Sequence, residues 1–319
     1  MKASIIIPTY NRVNSIKKVL HVLSYQDYPK DDFEVIVIDD GSTDGTYELL
    51  NSSVLRSLRL DLNLKVIKHL SNQGSAKSHN DGIKASEGEI VVLLDDDLLP
   101  VPSFLKAHVE YHLKEHCIVL GNRKYIESLS QKWLSRYLST RGVHKLTNKE
   151  NIPFKCFWTG NTSFRKEDIM KVGLFDEQFK GIMGGEDLEL GYRLEKYGLK
   201  FKYVENAITY HPPCKLDEIL EKQRSFGKNI VPLLLKKDSI FYKLFKIYLI
   251  EKQNFLVKMA LSQTFYRIIE KTTLFLNKFY MPPVFFDYLI FYNRILGFKE
   301  SGFQISKSFT IKIHNHFQR

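Results

Sequence analysis

The sequence predicts an α/β protein: a mixed, mainly parallel sheet flanked by helices, followed by a C-terminal helical appendage. Three observations carry that expectation. Short apolar runs at 4–7, 33–38 and 89–94 alternate with segments whose apolar residues recur at helical spacing, the pattern of βαβ units. Each run ends in polar or acidic residues, where open α/β sheets bind ligands. Composition then changes at His211-Pro212-Pro213, beyond which Lys, Arg, Phe and Tyr accumulate.

The elements follow in order. Residues 4–7 are an apolar run ending at Pro8, which reads as a buried strand. Ile16, Val19, Leu20 and Leu23 keep helical spacing, and Tyr28-Pro29 closes that helix. The run 33–38 is a second strand, ending in Asp39-Asp40-Gly41-Ser42. A helix is expected from about Thr43, capped by Ser42 or Thr43. Residues 65–67 suggest a third strand, 74–85 a third helix, and 89–94 a fourth strand running into Asp95-Asp96-Asp97. Further on, 117–121 reads as a strand and 131–139 as a helix. The basic, irregular stretch 141–155 reads as a mobile loop able to close over a ligand. A strand-like segment spans 157–164, and a helix at 185–197 is stopped by Gly198. A strand at 201–210 delivers His211 to its end. There are no internal repeats.

The 319 residues are 44% hydrophobic and 26% charged, which excludes wholesale disorder. Cys117, Cys156 and Cys214 are odd in number, far apart and without a C-x-x-C pair. That disfavours a disulfide framework or a cysteine zinc site and suits a reducing compartment. The amino terminus lacks a signal-peptide pattern, and no window approaches the roughly 18–20 apolar residues of a membrane span. The expectation is a cytoplasmic protein, at most peripheral on the inner face of the cell membrane. Of the net charge of +11, most lies in residues 212–319, with 18 Lys and Arg against 8 Asp and Glu. The same segment holds 20 of the 39 Phe and Tyr residues. Ile240, Leu244, Ile247 and Tyr248 keep helical spacing there, with Lys243, Lys246, Lys252 and Lys258 alongside. Such a tail suits packing with a solvated lysine face, or contact with anionic membrane lipid. Nucleic-acid binding is disfavoured, because no recognised module motif is present.

Three successive carboxylates repel one another and need a cation, basic neighbours or raised pKa values to coexist. Their hard oxygens suit Mg²⁺ or Mn²⁺ shared with substrate phosphates; the alternative is a solvated acidic turn. Glu186-Asp187 opens a helix, where the dipole favours acids in any case, but Gly184-Gly185 before it allows close approach to a ligand. His211, at a strand end, is competent to join an aspartate on a metal. The P-loop, G-x-G-x-x-G, G-x-S-x-G and H-E-x-x-H patterns are all missing, which disfavours ATPase, Rossmann dehydrogenase, hydrolase and zinc-protease readings.

Several ordered motifs together resemble the family-2 glycosyltransferases. They are Ile5-Ile6-Ile7-Pro8-Thr9-Tyr10-Asn11-Arg12, Val37-Ile38-Asp39-Asp40-Gly41-Ser42, Asn72-Gln73-Gly74 through Asn80, Leu93-Leu94-Asp95-Asp96-Asp97, Thr159-Gly160-Asn161, Gly185-Glu186-Asp187 and His211. The resemblance covers roughly residues 1–211. It implies a GT-A catalytic domain there, with a nucleotide-binding half at 1–100, an acceptor half at 101–211, and the helical region at 212–319 outside it. It also implies inverting transfer from a nucleotide-diphosphate sugar to a hydroxyl of a glycan or lipid-linked acceptor. Pro8, Thr9, Tyr10, Arg12, Asn72, Gly74 and Lys77 fall at nucleotide-binding positions. Asp40 would read the base edge, which favours a UDP-sugar. Asp95 and Asp96 would lie at the ribose and diphosphate. Asp97 and His211 would hold Mn²⁺ or Mg²⁺, Asp187 would be the catalytic base, and Trp158, Gly160, Asn161 and Glu186 would face donor sugar or acceptor. His79 stands where many members carry Arg, and the Q-x-x-R-W signature of processive synthases is missing, which implies one or few sugars per encounter. A sugar nucleotidyltransferase, or a non-catalytic binder of nucleotide sugars on the same scaffold, are the competing classes.

Overall fold

Ile5, Ile6 and Ile7 are all fully buried, so the strand they form must be covered on both faces. The computed structural model describes residues 1–51, 62–128, 131–180, 184–251, 254–276 and 280–305. Two compact units emerge: Met1–Glu127, Leu138–Gly181 and Glu186–Pro213 make the first, and Ser128–Tyr137, Ile182–Gly185 and Cys214–Arg319 the second.

The first unit is built on one sheet of strands β1 (Ala3–Thr9), β2 (Phe33–Asp39), β3 (Leu64–Lys68), β4 (Ile90–Leu94), β5 (Leu99–Pro100), β6 (Ile118–Tyr125), β7 (Asn161–Arg165) and β8 (Phe201–His211). Their order is β3-β2-β1-β4-β7-β6-β8-β5. The first four run parallel; β7 is antiparallel to β4 and β6, β6 and β8 are parallel, and β5 closes antiparallel on β8. Register pairs Thr9 with Asp39, so the polar ends of β1 and β2 open at one edge. Helices α1 (Val13–Leu23), α2 (Thr46–Leu50), α3 (Ser75–Ala85) and α4 (Phe104–Lys114) connect these strands; α5 (Lys132–Ser139), most of which belongs to the second unit, comes before α6 (Lys166–Val172) and α7 (Glu186–Lys196) of the first. One core face gathers Ile5, Ile7, Ile16, Leu20, Val35, Val92 and Phe104.

Three local expectations are corrected. Helix α2 starts at Thr46, because Ser42 and Thr43 are used elsewhere: the Ser42 hydroxyl accepts the Asn11 N–H and the Thr43 N–H bonds Asn11 Oδ1. The strand expected at 157–164 shrinks to β7, since Phe154–Cys156 forms a 3₁₀ turn and Trp158 to Gly160 lead away from the ladder. The stretch 141–155 is pinned by buried Val143, Ile152 and Phe154, with a second 3₁₀ turn at Gly142–Lys145, so it is no free loop. Helices α4 and α6 carry no expectation from the sequence.

Beneath β7, a chain of buried polar groups braces α4. Asn161 Nδ2 donates to Ala207 O and Thr209 Oγ1, so its Oδ1 accepts from His108 Nε2–H at 2.9 Å. His108 Nδ1 then accepts the Ser163 hydroxyl, and Ser163 Oγ accepts His112 Nε2–H, each at 2.8 Å. Every imidazole in this chain is neutral. Burial lowers His108 to about 4 and His112 to about 3, and lowers His79 on α3 to about 4. These folded pKa values lie below the unfolded value, so the unfolded chain takes up protons first. Their contribution is complete above about pH 6.5 and is lost as pH falls toward 4, at up to about 1.4 kcal/mol per pH unit for each histidine. Urea midpoints are therefore expected to drop steeply on acidification through that window; a flat profile would show these rings to be hydrated in the native state.

The second unit is helical: α8 (Leu216–Ser225), a π-helical turn at Phe226–Ile230, α9 (Val231–Lys237), α10 (Ile240–Leu244), α11 (Tyr248–Glu251), α12 (Phe255–Ala260), α13 (Gln263–Leu276) and α14 (Pro283–Glu300). Helix α14 crosses α8 and the π turn at two glycines. A Cβ on Gly227 would sit 1.9 Å from Arg294 O, and one on Gly297 equally close to Arg224 O. Arg294 Nε bonds Gln223 Oε1 at 2.9 Å, and Arg224 Nε bonds Glu300 Oε2 at 2.9 Å, across the same crossing. The single helix suggested by Ile240, Leu244, Ile247 and Tyr248 is broken, with Lys246 at φ +56° between α10 and α11, so that Phe241, Phe245 and Ile247 can all be buried. Lys252 lies outside the described residues. No helix among the described residues is long and apolar enough to cross a membrane.

Candidate active site

The carboxyl ends of β1, β4 and β8 bring three acidic side chains to different neighbours. After β4 the chain turns, with Leu98 N–H bonding Asp95 O, so Asp95, Asp96 and Asp97 fan out rather than alternating as in a strand. Asp96 Oδ2 accepts the Thr9 hydroxyl at 2.7 Å. Asp97 lies between Arg12 Nη1 at 3.8 Å and His211 Nε2 at 3.9 Å. His211 stacks on Tyr125 with centroids 4.8 Å apart, and its Nδ1–H donates to Pro212 O at 2.6 Å. That bond puts the proton on Nδ1 and the lone pair on Nε2, the tautomer a metal ligand needs.

Asp95 faces the other way. Its carboxylate lies against Gly160, where a Cβ would meet Asp95 Oδ2 at 2.3 Å and the Trp158 ring at 2.1 Å. Only glycine fits there. The neighbouring Thr159 N–H is turned toward Asp187 at the start of α7 and lowers its pKa, so one turn acts on two acids from distant elements. The Arg123 guanidinium, on β6, lies 3.9 Å over the Trp158 ring and offsets both charges. Glu186 is buried, with the Ser75 hydroxyl lowering its pKa only in part, and leaves Oε2 without a partner.

The electrostatics separate these groups. Burial, then the charges of Asp97, Asp187 and Asp96, push Asp95 up to about 8. Burial raises Asp96 to about 6 in spite of the Thr9 bond. Burial raises Glu186 and Asp187 together, and the Asp187 charge adds to Glu186. Asp187 keeps N–H donors and the Arg123 cation, whereas Glu186 has a bare buried oxygen. Of the two, Glu186 is the group that holds the proton and Asp187 the one that stays ionised, two carboxyls given different roles by their surroundings.

Among the described residues no group of three or more His, Cys, Asp or Glu could hold a metal by itself. Asp97 and His211 offer one hard oxygen and one correctly protonated imidazole. Such a pair fits Mn²⁺ or Mg²⁺ only if the remaining positions are filled by phosphate oxygens and water.

Other expected residues stand apart from this centre. Asp40 is buried, with Oδ1 accepting from Gln73 N–H and bonded to His69 Nδ1, and Oδ2 accepting from Gly74 N–H. Three of its roughly four lone-pair sites are thus used to hold the 71–74 loop. Lys77 pairs with Asp81 at 2.5 Å, and Asn72 is exposed on the same loop. Pro8 is half-buried and Tyr10 exposed at the end of β1. Asn161 does not face the cleft; its side chain belongs to the buried chain under β7. His79 is also enclosed, stacked 4.9 Å from Phe175 with Nδ1–H donating to Ser75 O. Arg123 and Tyr125 were missing from the sequence-derived set, because nothing but their place on β6 distinguishes them.

The chain matches the family described as "Glycosyl transferase family 2" over residues 4–173, more than half its length. It belongs to that family. A second match, to "N-terminal domain of galactosyltransferase", covers residues 141–214. Among curated relatives, this family-2 glycosyltransferase is 32% identical to a chondroitin synthase of Escherichia coli over 75% of its own length and 39% of the synthase. It is 31% identical to a validoxylamine A glucosyltransferase of Streptomyces hygroscopicus subsp. jinggangensis, over 75% of its own length and 60% of that enzyme. The chain thus spans less than two thirds of either relative. In fold it is similar to a mannosyltransferase from Pyrobaculum calidifontis in complex with GDP-Man and Mn²⁺, with TM-score 0.61 and 19% identity over 91% of this chain and 85% of that one. It is also similar to S. aureus TarS 1–349 in complex with UDP-GlcNAc, with TM-score 0.55 and 18% identity over 96% and 93% of the two chains. The GT-A-like architecture expected of this glycosyltransferase is therefore present.

Proposed function

We propose that the protein transfers a sugar from a nucleotide-diphosphate sugar, a UDP-sugar by preference, to a hydroxyl of a glycan or lipid-linked acceptor, with inversion and one or few sugars per encounter. The observation that carries this reading is the Thr159-Gly160 turn, which sets ionised Asp187 beside Asp95 and Trp158. Asp187 would take the acceptor hydroxyl's proton as its oxygen attacks the anomeric carbon. One base and no covalent nucleophile suffices for inversion, by the stereochemical logic of inverting hydrolysis. Asp95 and Asp96 would border ribose and diphosphate, Tyr10 would lie beside the base, and the last lone pair of Asp40 would accept a base N–H. Arg12, 3.8 Å from Asp97, would meet diphosphate charge. Asp97 and His211 would hold Mn²⁺ or Mg²⁺, which when bound supplies charge neutralisation for the leaving diphosphate. Glu186, protonated, would donate to the acceptor or donor sugar. The reaction would take place on the cytoplasmic side of the cell membrane.

Product analysis with a panel of nucleotide sugars and Mn²⁺ tests this reading. Release of free nucleoside diphosphate coupled to a β-linked product from an α-linked donor is expected. Pyrophosphate as the product would make the protein a nucleotidyltransferase, and no turnover of any donor would make it a binding protein.

A further inference from the structure

The outward face of α12 and α13 has the wrong chemistry for water. Helix α13 turns Phe265, Tyr266 and Thr273 inward: Phe265 meets Tyr288 edge-on at 5.4 Å, Tyr266 stacks on Tyr292 at 4.3 Å, and Thr273 is fully buried. A surface helix normally shows polar side chains opposite such a face. Here Ile268 and Leu274 stand 56% and 61% exposed, with exposed Arg267 and Lys271 on the same helix face. Helix α12 repeats the pattern. Its first turn is fixed by Asn254 Oδ1, which accepts the Val257 N–H at 2.9 Å, and it holds out Phe255 and Leu256 at 76% and 64% exposure beside exposed Lys258. Glu270 is the one carboxylate in residues 254–276, and the Tyr266 hydroxyl already donates to it at 2.6 Å.

Large apolar side chains interleaved with cations, and with no exposed acid, are what an anionic bilayer surface complements. We propose that this face seats on anionic phospholipid. Phe255, Leu256, Ile268 and Leu274 would enter the boundary between headgroups and acyl chains, while Lys258, Arg267 and Lys271 lie against headgroup phosphates. The excess of Lys and Arg across residues 212–319 adds long-range attraction of the same sign. A second copy of the chain is a poorer occupant, since it would set like cations against one another. The surface lies wholly within the second unit, and its test needs no turnover.

Co-sedimentation of the full chain with phosphatidylcholine vesicles, with and without phosphatidylserine, decides the matter. Binding is expected only where phosphatidylserine is present, and to weaken as salt is raised. Arg267→Glu with Lys271→Glu is expected to lower partitioning on the order of 25-fold or more, at roughly fivefold per cation. Phe255→Ser with Leu256→Ser is expected to weaken it as well, and since all four side chains are exposed, neither variant should alter the thermal midpoint. Equal binding to both vesicle types, no binding at low salt, or variants that bind like wild type would overturn the proposal. So would a concentration-dependent dimer that the Phe255/Leu256 variant abolishes, which would assign the face to a second copy.

Discussion

Asp187→Asn is expected to lower sugar transfer by about 10²-fold or more while donor binding stays near wild type. Asparagine keeps the shape, and its Oδ1 can still face the Thr159 N–H, so the turn that places Asp95 is preserved. What disappears is the proton acceptor. Steady-state transfer, paired with equilibrium binding of the nucleoside diphosphate, separates loss of chemistry from loss of the site. The pH profile adds a sign. Burial raises the Asp187 carboxyl, and only its ionised form accepts a proton, so the wild-type rate should climb with pH along a limb above the ordinary carboxylate range. Arg123 opposes that rise. Arg123→Ala should therefore move the limb to still higher pH, an effect that a purely structural role for Arg123 would not produce. If Asp187→Asn turns over near the wild-type rate, the base lies elsewhere, and Glu186 is the first residue to examine.

What could be read from the sequence follows from what each element must hide. Strands buried on both faces appear as largely apolar runs, so β1, β2 and β4, and the acidic ends of β2 and β4, were legible. Helix α4 was not, because His108 and His112 occupy two of its inward positions and interrupt the apolar period. Their partners, Asn161 and Ser163, lie more than fifty residues away on β7. The same distance effect misassigned Asn161. The resemblance of Thr159-Gly160-Asn161 put Asn161 among the substrate contacts, but strand alternation turns its side chain to the opposite side. Arg123 was invisible for the converse reason: its role exists only because β6 lies beside β7 and carries it over Trp158. The carboxylate triplet was recognised as a site, whereas the turn that spreads it among Thr9, Gly160 and His211 depends on elements brought together by the sheet.

Asp97→Ala is expected to abolish transfer with Mn²⁺ or Mg²⁺, and its effect on nucleotide binding should depend on the metal. Asp97 is one of several carboxylates at the strand ends, and its charge raises the pKa of both Asp95 and Asp96. With chelator present, deleting that charge removes repulsion toward a diphosphate, so binding should be unchanged or slightly tighter. With Mn²⁺ present, the same deletion would remove the carboxylate that, together with His211, would hold the ion. Diphosphate then loses its counter-ion, and binding should weaken about tenfold or more, equal to 1.4 kcal/mol. A structural collapse would weaken binding under both conditions, so the crossed pattern distinguishes a lost ligand from a lost fold. Calorimetric titration of nucleoside diphosphate into wild type and variant, with chelator and with Mn²⁺, reads both arms. Full wild-type activity in excess EDTA would leave the diphosphate charge to protein cations such as Arg12, and the metal reading would fall.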